Sequence, residues 1–178
     1  MILMGIVLAR AASLYERNPA EEGRSKRKQA IQTQSYGPSA RGGHSKCDVK
    51  ISDHDMLYPF VEVPDDLIIM SQQAYLKYIN DRRPGTRIII DPDLVLERPN
   101  GDFYEIAATK AAESLGTRIV TNIVMLGAFR EISDIVTRDS LEKALFDSLP
   151  PATHELNRKA LGLGAELGSK AQLMRAKG

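Results

Sequence analysis

The sequence has only one cysteine, Cys47, among its 178 residues. A single thiol cannot form an internal disulfide, and it cannot supply the several thiolates that an iron-sulfur cluster requires. The chain is therefore expected neither to be an oxidised, secreted scaffold nor to hold such a cluster by itself.

The sequence also lacks an excess of charge of either sign. Lys and Arg number 24 and Asp and Glu 23, which gives a formal net charge of +1. A nucleic-acid-binding domain normally shows a strongly basic face, so nucleic acid is not expected as a partner. The three histidines, His44, His54 and His154, show no paired spacing typical of metal ligands. No serine, cysteine or lysine nucleophile motif is evident, and we predict no catalytic residue and no metal site in this chain.

No hydrophobic run is long enough to span a membrane. The apolar stretch 1–12 is interrupted by Arg10 and is too short to cross a bilayer. It also lacks the basic leader and the small-residue cleavage site of a signal peptide. We therefore predict a cytoplasmic protein without membrane contact.

Length and hydrophobic content predict a folded chain. With 178 residues, 43% of them hydrophobic, residues 1–178 are expected to form one domain. A polar insert at 16–28 ends in the basic run 24–28, which is either a solvated loop or a docking site for an acidic partner. A C-terminal helix is expected from about residue 153.

The hydrophobic pattern predicts an α/β fold. A helix is expected first, over 5–15. The expected strands are 30–35, 47–52, 67–70 and 87–91, and the next expected helices are 72–79, 107–115 and 121–132. One further helix is expected to be capped by Asp139, and a last one to begin at Thr153. A strand, helix, strand unit over 67–91 builds parallel sheet, with ligands at the carboxyl ends of the strands. We predict a doubly wound, mainly parallel sheet flanked by helices, with a helical C-terminal part and with the first strand of such a fold missing.

Residues 35–43, Ser-Tyr-Gly-Pro-Ser-Ala-Arg-Gly-Gly, form the most specific motif of the chain. Glycines 42 and 43 would let backbone N-H groups approach an anion closely, and Arg41 adds a planar fork of donors. This stretch resembles the Tyr-Gly-Pro-x-x-Arg-Gly-Gly signature of the gamma subunit of 2-oxoacid:ferredoxin oxidoreductases. It is most similar to the 2-oxoglutarate branch of that family.

Further segments extend the resemblance over roughly residues 5–163. Residues 121–128, Thr-Asn-Ile-Val-Met-Leu-Gly-Ala, resemble the family's Asn-Met-x-x-Leu-Gly-Ala helix start. Residues 66–75 are similar to its strand, Ser-Gln-x-Ala-Tyr corner and helix, and 104–109 to its Ile-Pro-Ala-Thr segment. The family usually opens with a hydrophobic strand and a Gly-Gly-Gln-Gly turn, of which this chain retains only Gly5.

The resemblance implies a subunit that supports chemistry done elsewhere. The whole enzyme would use coenzyme A and ferredoxin to convert a 2-oxoacid to acyl-coenzyme A and carbon dioxide, with reduced ferredoxin as the other product. The expected 2-oxoacid is 2-oxoglutarate, and the pyruvate and indolepyruvate branches are the alternatives. Thiamine diphosphate and iron-sulfur clusters would lie on partner subunits. The expected partners are alpha and beta subunits, with a delta subunit left open, and ferredoxin as the electron acceptor of the complex. This chain would contact coenzyme A through residues Ser35, Tyr36, Gly37, Arg41, Gly42, Gly43, Thr121 and Asn122.

Other interpretations stay open at this point. Asn122 has a structural alternative as part of a helix N-cap, and Arg41 as a partner of a carboxylate across the loop. The chain as a whole could be a stand-alone nucleotide-binding α/β protein, although it lacks a Gly-x-Gly-x-x-Gly turn after a first strand. It could also be a non-catalytic interaction module that uses its basic insert on nucleic acid.

Overall fold

The computed structural model describes residues 2–14, 29–36, 45–54 and 56–175. Its strands are β1 (Gln29–Tyr36), β2 (Ser45–Ser52), β3 (Asp66–Ile69), β4 (Arg87–Ile90) and β5 (Tyr104–Glu105). Its α-helices are α1 (Ile2–Leu14), α2 (Gln72–Tyr78), α3 (Ala108–Ser114), α4 (Thr121–Ser133), α5 (Arg138–Asp147) and α6 (His154–Arg175). Within these ranges, no helix has both the length and the apolar character needed to cross a membrane.

The chain divides into two compact units. The first contains the described residues of Met1–Val61 and those of Asp134–His154, and the second contains Glu62–Ser133 and the chain from Glu155 onward. The expectation of one domain over residues 1–178 stays a prediction.

The first unit is built on an antiparallel hairpin. Strands β1 and β2 pair along their whole length, from Gln29 opposite Ser52 to Tyr36 opposite Ser45. Helix α1 contacts both strands and also α5. The buried side chains of α1 include Met4, Val7, Leu8 and Ala11, whose spacing places them on one helix face. The hydrophobic effect therefore holds α1 in place.

The second unit is built on a parallel sheet with the strand order β3-β4-β5. Helix α2 is the crossover between β3 and β4, and Ser71 caps it by accepting a hydrogen bond from the N-H of Ala74 at 3.2 Å. Residues 88–90 of β4 are all buried, as expected for the central strand of a sheet covered on both faces.

The predicted fold class is confirmed. A helix precedes the first strand, a parallel sheet is flanked by helices, and the C-terminal part is helical. Helix α3 ends as predicted, because Gly116 takes the left-handed backbone conformation at φ 89°.

One predicted helix start was wrong. Thr137 rather than Asp139 caps α5, because the Thr137 hydroxyl accepts from the N-H of Ser140 at 3.2 Å while Asp139 lies inside the first turn. The C-terminal helix expected from about residue 153 is present as α6, which begins at His154 directly after a short 3-10 turn over Pro151–Thr153. Asp and Thr are both good capping residues, so the choice between neighbours depends on the path of the backbone.

Candidate functional site

The start of helix α4 carries two of the predicted site residues. A short 3-10 turn over Arg118–Val120 precedes it, and the hydroxyl of Thr117 caps that turn by accepting from the N-H of Ile119 at 3.2 Å. Thr121 is the first residue of α4, and its hydroxyl donates to the carbonyl oxygen of Arg118 at 2.8 Å. The prediction that Thr121 caps this helix was therefore wrong, because the chain is already helical one turn earlier.

Asn122 has an unsatisfied side chain. Its Oδ1 is shielded from solvent and has no hydrogen-bond partner in the part of the chain that the structure describes. This oxygen accepts no helix N-H group, so the capping alternative for Asn122 is not what the structure shows. A buried acceptor without a donor costs about 1 to 3 kcal/mol, and such an atom calls for a ligand, a partner or a water.

The position of α4 is fixed at its far end. Arg87, the first residue of β4, makes a bidentate ion pair with Asp66 at 2.6 and 2.9 Å. The same guanidinium donates to the carbonyl oxygen of Ile132 near the end of α4, at 3.2 Å. The hydrogen bond to Asp66 also raises the pKa of Arg87 above its ordinary value, so this cation stays charged.

A seam of small residues joins α4 to α6. A Cβ added to Gly164 would lie 2.8 Å from the carbonyl carbon of Val124, and one added to Gly168 would lie 2.8 Å from the Cα of Ala128. Gln172 continues the line by donating to the carbonyl oxygen of Glu131 at 2.9 Å. Because the contacts advance in step along both helices, α4 and α6 run in the same direction.

The second part of the predicted site lies on the hairpin. Ser35 and Tyr36 are the last two residues of β1, and the register pairs Tyr36 with Ser45. The register therefore brings residues 36 and 45 opposite each other. The predicted site residues Gly37, Arg41, Gly42 and Gly43 lie outside the described residues.

Cys47 on β2 has the environment of a packing residue. Its thiol is half-buried and accepts a hydrogen bond from the amide nitrogen of Gln32 at 3.2 Å. Burial raises the pKa of Cys47, which keeps the side chain a neutral thiol at pH 7. In the described parts of the chain, no group of three or more His, Cys, Asp or Glu side chains is arranged to hold a metal ion.

Asp91 was missed by the sequence interpretation. It follows β4 directly and is fully buried. Its Oδ2 accepts from the N-H and the hydroxyl of Thr109 at 2.8 and 2.7 Å, and its Oδ1 accepts from the N-H of Asp93 at 3.0 Å. These bonds tie the start of α3 to the carboxyl end of β4, and α3 packs against α4. In the sequence, Asp91-Pro92 indicated only a turn after the strand. The spacing of residues gave no sign that Thr109, 18 residues further on, would bond to Asp91.

Comparison with known proteins identifies the family. A family model described as pyruvate ferredoxin/flavodoxin oxidoreductase matches residues 14–167. The 2-oxoglutarate synthase subunit KorC of Methanothermobacter thermautotrophicus is 45% identical over 176 residues, covering 94% of this chain and 88% of the relative. The chain therefore belongs to the pyruvate ferredoxin/flavodoxin oxidoreductase family.

Solved structures narrow the position within that family. The gamma subunit of a keto/oxoacid ferredoxin oxidoreductase from Geobacter sulfurreducens matches with a TM-score of 0.78 at 38% identity, over 96% of this chain and 92% of that chain. The 2-oxoglutarate:ferredoxin oxidoreductase of Magnetococcus marinus shares the fold with a TM-score of 0.74 at 18% identity, over 95% of this chain and 28% of that longer chain. The chain is a gamma-type subunit and a non-autonomous part of an oxidoreductase, which confirms the resemblance found in the sequence.

Proposed function

We propose that this chain is the gamma subunit of a 2-oxoglutarate:ferredoxin oxidoreductase. The observation that carries the choice of 2-oxoglutarate is the 45% identity to a 2-oxoglutarate synthase subunit, which covers nearly the whole of both chains. The pyruvate and indolepyruvate branches are correspondingly less favoured. The enzyme would convert 2-oxoglutarate and coenzyme A to succinyl-coenzyme A and carbon dioxide, and it would reduce ferredoxin.

The division of labour in this proposal follows from the residues present. Iron-sulfur clusters would lie on partner subunits, because this chain has a single cysteine and cannot supply the thiolates that a cluster requires. Thiamine diphosphate is likewise assigned to partner subunits, as the resemblance implies. The gamma subunit contributes binding and positioning rather than bond-making. It would hold coenzyme A, which supplies the thiol that accepts the acyl group, and it would help to order the catalytic subunits.

The start of α4 fits a role in binding coenzyme A. The Oδ1 of Asn122 is shielded from solvent and is an acceptor that needs a donor. Coenzyme A carries N-H donors in its two pantetheine amides and in its adenine amino group. Thr121 is buried beside Asn122, and its hydroxyl donates within the chain, which leaves its lone pairs to accept. Both residues are therefore proposed contacts of this substrate.

The hairpin residues are proposed as a separate contact region. Ser35 and Tyr36 end β1, and Gly37, Arg41, Gly42 and Gly43 follow in sequence. Two adjacent glycines and an arginine suit the recognition of an anionic group by backbone N-H donors and a planar guanidinium. We propose that these residues contact either the acyl-carrier substrate or a partner subunit.

Reconstitution tests the proposed function. The purified chain alone is expected to show no reduction of ferredoxin with 2-oxoglutarate and coenzyme A. Addition of the partner subunits should give activity that depends on this chain. The rate with 2-oxoglutarate should exceed the rate with pyruvate. Activity of the chain alone would contradict the role of a supporting subunit, and a preference of the assembled enzyme for pyruvate would contradict the substrate.

Asn122→Ala tests the proposed contact in the assembled enzyme. Loss of one hydrogen bond, worth about 0.5 to 1.5 kcal/mol, should raise KM for coenzyme A about 2- to 12-fold. KM for 2-oxoglutarate should stay nearly unchanged. The melting temperature of the chain should not fall, because Oδ1 of Asn122 has no partner within the described chain. Titrations of both substrates and a melting curve check these expectations.

Ser133→Ala is the matched control. Ser133 ends the same helix, and its Oγ is likewise shielded and without a partner in the described part of the chain. Its removal should leave both KM values at the wild-type level. If Asn122→Ala lowers the melting temperature and leaves both KM values unchanged, Asn122 is a structural residue and does not contact coenzyme A.

A further inference from the structure

Three large apolar side chains that follow β2 are exposed to solvent. Leu57 is 100% exposed, Tyr58 52% and Phe60 54%. We call these three residues the exposed apolar segment. Single exposed apolar residues are common on protein surfaces, but a group with two aromatic rings marks an interaction site.

Contacts within the first unit hold the exposed apolar segment in shape. The ammonium group of Lys50 donates to the carbonyl oxygen of Tyr58 at 3.0 Å and lies 5.9 Å from the centroid of its ring. The rings of Tyr58 and Phe60 meet edge to face, with their centroids 5.5 Å apart and their planes at 63°. Side chains already ordered before binding lose less entropy when a partner covers them.

The charge of the surrounding sequence indicates what kind of partner would fit. No Lys or Arg occurs from residue 51 to residue 76, whereas acidic residues stand at positions 53, 55, 62, 65 and 66. Asp65 and Asp66 are already ion-paired with Arg83 and Arg87, and Lys50 lies against Tyr58, so the negative charge close to the segment in sequence is that of residues 53, 55 and 62. Asp53, close to the exposed apolar segment in sequence, is exposed. Interfaces combine an apolar centre with a polar rim of complementary charge. The complement is a protein surface with an apolar pocket that Lys or Arg residues border.

We propose that the exposed apolar segment docks into such a pocket on a partner subunit of the same enzyme. This inference rests on the proposed function, which requires partner subunits. The fold itself supports this occupant, because in the Magnetococcus marinus enzyme the same fold makes up 28% of a longer chain. There the fold is covalently joined to further protein, whereas the gamma subunit from Geobacter sulfurreducens is matched over 92% of its length, and a surface of such a subunit has to make that connection.

The test measures binding between this chain and its co-purified partner subunits. Leu57→Asp places a charge at the fully exposed position, and Phe60→Ala removes a ring. Each should weaken Kd by about 30-fold or more, as expected for a hot-spot residue. Circular dichroism and melting of the free Leu57→Asp chain should stay at wild-type values, because Leu57 is fully exposed, whereas Phe60→Ala loses only the ring contact with Tyr58 and should keep the wild-type fold. Leu96→Asp is the matched control, since Leu96 is 79% exposed in the second unit and should leave Kd unchanged.

The possible outcomes separate the two proposals. If wild-type chain and partner subunits form no complex, the proposed function fails and the docking surface with it. If wild type assembles and Leu57→Asp and Phe60→Ala bind as tightly as wild type, only the docking surface is wrong. Equal weakening by Leu57→Asp and Leu96→Asp would also overturn it. Sedimentation of the free chain provides one more test. If the free chain is a dimer that Leu57→Asp dissociates, and if assembly with the partner subunits stays at the wild-type level, the occupant is a second copy and the proposal is wrong.

Discussion

Replacing Gly164 with alanine is expected to lower the free energy of unfolding by about 3 kcal/mol, the upper end of the usual cost of overpacking. The added Cβ would lie 2.8 Å from the carbonyl carbon and 3.0 Å from the Cα of Val124 and closer still to its carbonyl oxygen. All three atoms belong to backbone of α4, which cannot rotate away as a side chain can. The two helices would have to move apart, and packing in the second unit would loosen.

Thermal unfolding of the purified chain measures this effect. A loss of about 3 kcal/mol in a chain of this length should lower Tm by roughly 6 to 12 °C. Because α4 carries Thr121 and Asn122, an assembled enzyme containing the variant should also show a raised KM for coenzyme A, if the proposed contacts are right.

Gly162→Ala is the control on the same helix. An added Cβ at Gly162 would meet no atom within 4 Å. Alanine favours the helical state over glycine by about 0.5 to 1 kcal/mol, so this variant should be slightly more stable than wild type. The two substitutions are chemically identical and lie two residues apart, yet they should shift Tm in opposite directions. Equal Tm values for the two variants would mean that the close approach at Val124 does not exist.

The seam between α4 and α6 shows one limit of sequence interpretation. The spacing of Leu156, Ala160, Leu163 and Leu167 predicted a C-terminal helix, and the helix is present. Of these residues only Ala160 is buried, while Gly164 and Gly168 are also on the buried side. A glycine inside a helical pattern ordinarily weakens the helix, and its packing role appears only when the neighbouring helix is in place.

The elements were easier to predict than the contacts between them. Alternating and continuous apolar runs, with Gly and Pro at their ends, located the strands and most helices because those signals are local. The burial of the unpaired Asn122 Oδ1 and the hydrogen bonds that Asp91 accepts from Thr109 both depend on groups that meet only after folding. For the candidate site, the motifs at 35–43 and 121–128 identified the family, and the structure added the unsatisfied acceptor.

Asp91→Ala is expected to be the second strongly destabilising change. Without the carboxylate, the N-H and hydroxyl of Thr109 lose their acceptor, and Thr109 is buried. Each buried donor left without an acceptor costs about 1 to 3 kcal/mol, so a loss of about 2 to 5 kcal/mol is expected. A small cavity where the carboxyl group stood adds to this cost. Denaturant unfolding of the purified chain gives the free energy directly.

Asp93→Ala separates burial from charge in this prediction. Asp93 is two residues further on and its Oδ2 accepts from the N-H of Lys110 at 3.2 Å, so it too bonds to the first turn of α3. Asp93 is exposed, and water can replace the lost acceptor. Its substitution should therefore cost less than about 1 kcal/mol, in the lower part of the range for helix-capping contacts. If the free energy of unfolding falls equally in both variants, the hydrogen bonds of Asp91 stabilise the chain no more than an exposed helix cap does. Asp91 would then not be the residue that holds α3 at the end of β4.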